Sequence, residues 1–167
     1  MSSVEELAEE LAEAQQQLLA AADAVPDVAY AKAREDGWCA AEVVGHAVEF
    51  QPFWAREIQR MIEQVKPRVG RLDDVARQER LIAVKRGAEL KKGPALLELR
   101  RSAHEALQQV RALSPDQLSR KGLLIDANGD ANETSIEKLV NAVLVKHLEE
   151  HAQQLRSLFP SQAPGEA

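Results

Sequence analysis

Apolar residues recur three and four positions apart along most of this chain, and that spacing predicts four long helices. Residues about 3 to 24 carry Val4, Leu7, Leu11, Leu18 and Leu19 among Ala and Glu, a helical stretch that Pro26 stops. Asp27 to Trp38 is a connector punctuated by Gly37. A second helix is expected from about Ala40 to Val65, closed by Pro67 and Gly70. Its inward series is Val43, His46, Phe50, Phe53 or Trp54, Ile58, Met61 and Val65. Pro52 lies inside it and removes a backbone donor, so a kink is expected there. Pro67 to Lys92 is highly charged, with moderate periodicity at Leu72, Val75, Leu81, Ile82 and Val84, and reads as a linker carrying a short helix. A third helix starts just after Gly93, with Pro94 in its first turn, and runs to about Leu113. Ser114-Pro115-Asp116-Gln117 begins a short helical turn. Thr134-Ser135-Ile136-Glu137 spells a capping box for a fourth helix that continues to Phe159, where Pro160 ends it. No internal repeat and no alternating strand pattern is evident. The fold class is therefore all-α, a four-helix bundle in a single domain over residues 1–160, with 161–167 as a flexible tail.

Composition narrows the classes of partner. A chain of 167 residues has room for one domain with a sizeable core. A net charge of -6 and a pI near 5.3 argue against nucleic-acid or anionic-membrane binding, which needs a basic surface. No apolar run approaches the roughly 20 residues of a membrane span. The start, Met1-Ser2-Ser3-Val4-Glu5-Glu6, has neither the basic nor the apolar segment of a secretory signal, so a cytoplasmic protein is expected. Cys39 is the only cysteine, which excludes an intramolecular disulfide and Cys-rich zinc sites.

The chemistry concentrates in histidine. Of four histidines, His147 and His151 are one helical turn apart and project from the same face. They stand in a stripe that otherwise holds Ile136, Val140, Val143, Leu144, Leu155 and Leu158. His46 falls on the inward stripe of the second helix. Buried imidazole nitrogens need partners, and one shared metal would satisfy all three residues. Three neutral imidazoles suit Zn, Ni or Fe(II) and leave positions open for water or substrate. The fourth, His104, sits among charges at the edge of its helix and reads as exposed or structural.

The segment Gly37-Trp38-Cys39-Ala40-Ala41-Glu42-Val43-Val44-Gly45-His46, followed far downstream by His147-x-x-x-His151, resembles the DinB/YfiT-like family. Its members carry Gly-Trp-Ser/Thr-x-x-Glu-x-x-x-His entering helix two and His-x-x-x-His near the end of helix four. The resemblance covers nearly the whole chain in order and spacing. It implies an up-up-down-down-like bundle, often a homodimer, that holds a divalent transition metal on His46, His147 and His151. It also implies a metal-dependent transferase that acts on a small-molecule substrate with a low-molecular-weight thiol such as bacillithiol or mycothiol; relatives include a mycothiol-dependent isomerase. A metal-dependent hydrolase using activated water and a non-enzymatic, stress-associated metal-binding bundle are the alternatives. Cys39 departs from the family's Ser/Thr: it is a weaker cap, and a cysteine there can have a lowered pKa, although a small half-buried cap is the simpler reading.

Other motifs weigh less. Phe50, Phe53 and Trp54 are expected in the core, with the mouth of the metal site as a second placement. Glu42 and Glu150 are candidates to orient a histidine, or plain surface and capping carboxylates. No basic cluster is evident for the carboxylates of a thiol cofactor. His147-Leu148-Glu149-Glu150-His151 also spells an inverzincin peptidase motif, but only 16 residues follow it. A di-iron carboxylate bundle would need a Glu-x-x-His on each of two helices, and the chain has none. Asp126 to Glu137 places oxygens like a calcium loop, yet Ala131 stands where glycine is wanted; an Asn128-Gly129 turn leading to a helix explains the same letters.

Overall fold

The computed structural model describes residues 2–159. The expected tail at 161–167 and the stop at Pro160 lie outside the described residues. Helix α1 (Val4–Asp23) opens on a closed capping box: Ser3 Oγ accepts the N–H of Glu6 at 3.1 Å, and the Glu6 carboxylate accepts the N–H of Ser3 at 2.7 Å. A single turn, α2 (Asp27–Tyr30), interrupts the expected connector. Helix α3 (Ala40–Glu63) runs through Pro52. It ends earlier than its apolar pattern suggests, and Val65 is 95% exposed instead of facing inward. Helices α4 (Asp74–Glu89) and α5 (Lys92–Arg111) follow, then a 3-10 turn at Pro115–Ser119.

The C-terminal helix is one rod in three parts: α6 (Ile136–Leu139), a π-helical stretch at Val140–Val145, and α7 (Lys146–Leu158). Its cap is Ser135, which accepts the N–H of Lys138 at 3.3 Å, and not Thr134, whose hydroxyl donates to the Ser135 carbonyl. Glu137, the other half of the expected box, accepts the backbone N–H of Ser2 at 2.6 Å instead. The π-helical turns reset the register upstream of the histidines. As a result Leu148, Ala152 and Leu155 carry the buried stripe beyond them, while Val143 and Leu158 are only half-buried.

Around the bundle, α1 packs on both α5 and α7, and α5 packs on α3. Gln15, Gln51 and the backbone of Ala103 knit α1, α3 and α5 together: Gln15 Nε2 donates to Gln51 Oε1 at 2.9 Å and to the Ala103 carbonyl at 2.8 Å. Two findings correct the sequence reading. The segment expected to be a linker is mostly α4, a 16-residue helix lying along α3. Where no strand was expected there is a small sheet, β1 (Arg68–Val69) parallel to β2 (Lys121–Ile125), which pairs antiparallel with β3 (Ala131–Ser135). The Asn128-Gly129 turn forms as read, with Gly129 at φ 86°. It closes the hairpin between β2 and β3, where Asp126 Oδ1 accepts the N–H groups of Asn128 at 2.8 Å and Asp130 at 3.0 Å. Among the described residues no helix is long and apolar enough to cross a membrane.

Candidate metal centre

His46 comes from the second turn of α3, and His147 and His151 from successive turns of α7, so two rigid helices hold the three rings. Their Nε2 atoms converge. His147 Nε2 lies 3.2 Å from that of His46 and 3.2 Å from that of His151, and the three candidate ligand atoms all fall within 4.8 Å of one another. A tetrahedral ion with metal–nitrogen bonds of about 2.05 Å sets neighbouring nitrogens about 3.3 Å apart. Two edges of the triangle already have that length.

Protons fix the direction of the lone pairs. His151 Nδ1–H donates to Gln154 Oε1 at 2.9 Å, which leaves Nε2 of the neutral ring as the acceptor. His147 Nδ1 faces the Glu150 carboxylate at 3.7 Å, beyond hydrogen-bond reach. The acceptor nitrogen of His151 thus lies 3.2 Å from His147 Nε2, in the space that the three rings share. Burial keeps the rings neutral. It pushes His46 down to about 3, reinforced by the neighbouring His151 and His147 and by Arg80 and Arg71. Burial, then His151, pushes His147 down to about 4, against the opposing pull of Glu150. His151 is lowered by burial too, partly offset by Gln154 and Glu150. His46 Nδ1 is buried without a partner.

The three are not equally buried, as the apolar pattern had implied. His46 and His151 are buried at 4% and 9% exposure, while the His147 side chain is 38% exposed and looks into a cavity. Aromatic rings brace the cluster: Trp38 and Phe50 pack on His46 with centroids 5.3 and 5.1 Å away, and Phe50 reaches His147 at 4.9 Å. Trp38 thus does more than seat the start of α3. Cys39 is buried, and its thiol is raised by that burial, so it has none of the character of a reactive thiolate. Glu42 turns to the Cys39 N–H at 3.1 Å and takes no part in orienting the histidines. His104 is exposed on α5, as read.

A cavity of about 520 Å³ opens on His46 and His147. Phe50, Trp54 and Val143 give it apolar walls, and the hairpin contributes Leu124 through Ala127. Phe53 is buried instead, under the guanidinium of Arg71 at 4.2 Å. The cavity also gathers Arg71, Arg77 and Arg80, a basic cluster that the sequence reading lacked. These residues lie in the stretch taken for a linker; folded as a helix, the i,i+3 spacing of Arg77 and Arg80 puts both on one face.

The model of the DinB superfamily matches residues 10–155. This chain belongs to the DinB superfamily. Solved structures share the arrangement described above. A structure of YfiT from Bacillus subtilis, described as a probable metal-dependent hydrolase with an unusual four-helix bundle topology, is similar with a TM-score of 0.72 at 17% identity. The match covers 95% of this chain and 89% of that one. An uncharacterized protein from Clostridium difficile 630 matches with a TM-score of 0.70 at 15% identity, over 98% and 99% of the two chains. A protein from Streptococcus pneumoniae matches with a TM-score of 0.69 at 15% identity, over 95% and 91%. At such identities the likeness is one of fold. No curated protein matches this DinB chain significantly.

Proposed function

We propose that His46, His147 and His151 hold a divalent transition metal, Zn, Ni or Fe, and that the protein is a metal-dependent transferase acting with a low-molecular-weight thiol. The convergence of three buried or half-buried imidazoles, with the Nε2 atoms of His46 and His151 each 3.2 Å from that of His147, is the observation that carries the metal reading. A metal held there would supply Lewis acidity, lowering the pKa of a thiol or water that reaches it. The chain's own part is to hold the imidazoles neutral, to keep water out with Phe50, Trp54 and Val143, and to admit a small molecule through the cavity. Among the described residues that line this cavity, the only carboxylate is Asp126, and its Oδ1 is occupied by backbone amides. Hydrolysis asks the protein for a base to take the water proton. A thiol is far more acidic than water and asks for less, which favours thiol transfer. Its sulfur would form the new bond to the electrophile as the leaving group departs, and its proton would pass to solvent.

Hydrolysis by activated water is the second reading, and it rests on the likeness to the Bacillus subtilis YfiT structure. A metal-binding bundle without catalysis would show no turnover with either substrate class. The homodimer implied by the family resemblance is carried as part of this proposal, and a monomer in analytical ultracentrifugation would remove it. Elemental analysis of tag-free protein is the deciding experiment. About one transition metal per chain is expected in the wild type and almost none in His46→Ala or His147→Ala. Metal retained in both variants would refute the assignment. With the metal established, a thiol and a chromogenic electrophile, tried beside an ester, separate transfer from hydrolysis.

A further inference from the structure

Among the described residues, one cation lining the cavity beside the histidines has no carboxylate to neutralise it. Arg71 is fully engaged: it pairs with Glu49, donates to the Ala76 carbonyl at 2.7 Å and stacks on Phe53. Arg77 pairs with Asp74 at 2.8 Å and donates to the Arg71 carbonyl at 3.2 Å. Arg80 differs. Among the described residues no carboxylate lies within ion-pair distance of its guanidinium, which rests over the face of Trp38 at 5.4 Å. Trp38 in turn packs edge-on against His46. An exposed arginine is thus held by an aromatic face on the wall of the cavity that His46 and His147 line.

We propose that Arg80 is the anchor for a carboxylate on the small molecule that enters this cavity. A guanidinium on an aromatic face keeps its planar fork of donors free, and that fork matches a carboxylate bidentately. The contact with Trp38 restrains the side chain, so less freedom is lost on binding. Asp126, the one acid among the described residues that line the cavity, is turned to its own loop through Oδ1. The substrate would then bind with its anionic end at Arg80 and its apolar body along Phe50 and Trp54, its reacting end directed to the histidines. This assignment deepens the function proposed above and rests on it only for what happens at that reacting end.

Of the chain's two tryptophans, Trp54 lines the cavity and Trp38 packs on two residues that do, Arg80 and His46, so intrinsic fluorescence reports on it. The full-length protein is titrated with butyrate at constant ionic strength, beside butyramide and inorganic phosphate. A saturable change with butyrate, absent with butyramide and weaker with phosphate, is expected. Arg80→Gln should weaken butyrate binding by about tenfold or more, the effect of losing a charge-assisted pair. Arg80→Lys should recover part of it, and Arg77→Gln should leave it nearly unchanged. Equal binding of butyramide, equal or tighter binding of phosphate, or an Arg80→Gln protein that binds like the wild type would each overturn the proposal. Arg80 is exposed, so Arg80→Gln should fold, and its thermal transition checks this. His147→Ala separates the two readings: butyrate binding retained there would leave the carboxylate anchor standing, whatever the metal content.

Discussion

At the scale of single residues, the informative atom is a nitrogen that does not face the cluster. His151 Nδ1–H is committed to Gln154 Oε1 at 2.9 Å, and that bond decides which nitrogen can serve a metal. A partner of this kind fixes both the tautomer and the ring plane, and its loss typically costs about 10- to 100-fold in metal affinity. Gln154→Leu is therefore expected to weaken metal binding by that order without unfolding the protein, since Gln154 is only half-buried. Gln154→Glu, which still accepts the Nδ1–H, should bind at least as well as the wild type. Competition against a chromophoric chelator measures both, and an unchanged affinity in Gln154→Leu would show that the ring is held by packing alone. Gln154 escaped the sequence reading although its signal was present: it stands three residues after His151, on the same face of the helix. The glutamates drew attention because they are charged, yet Glu150 lies 3.7 Å from His147 Nδ1 and Glu42 serves a cap.

Among the elements, what could be read from the sequence depended on how each helix is buried. Helices α1, α3, α5 and the C-terminal rod bury large aliphatic stripes, and their periodicity was plain. Helix α4 reaches α3 by a different route. A methyl group on Gly45 would lie 2.6 Å from the Ala83 carbonyl oxygen and 2.8 Å from Gly87 Cα. The two backbones cross at glycine, with Val84 and Gly87 buried, while Val75, Leu81 and Ile82 face solvent at 68, 51 and 61% exposure. The apolar letters of α4 thus mark its outer side, and the contact side is written in small residues that hydropathy does not register. A linker with only a short helix leaves ungrouped the arginines that this 16-residue helix sets on one face. The hairpin was illegible for a related reason, since β3, Ala-Asn-Glu-Thr-Ser, is polar and only Asn128-Gly129 signals a turn. The glycine crossing makes a test. Gly45→Ala gains up to about 1 kcal/mol of helix propensity, but it forces a Cβ into backbone, where overpacking costs about 1–3 kcal/mol. The variant should be less stable in urea by roughly the difference, and its cavity should bind butyrate poorly as α4 is displaced. A more stable Gly45→Ala protein would mean that the two helices part without cost.

For the whole molecule, the candidate metal site is a brace across a weak seam. α1 and α5 hold the bundle together, and α3 touches α7 far less than it touches α4 and α5. His46 and the pair on α7 span that seam, so an ion shared by them would couple two helices that packing leaves nearly independent. Binding confined to the folded state stabilises it by about 2.7 kcal/mol when the free metal stands at a hundred times its dissociation constant. For a chain of this size each kcal/mol moves the thermal midpoint by about 2–4 °C. Metal addition to stripped protein should therefore raise Tm by roughly 5–10 °C, and a chelator should reverse it. His46→Ala and His147→Ala should lose the shift alike, because each removes one end of the same brace. The comparison between them is the sharper part of the test. If His147→Ala abolished the rise while His46→Ala kept most of it, the ion would be held by α7 alone. The seam between α3 and α7 would then be unbraced, and the three histidines would not act as one site.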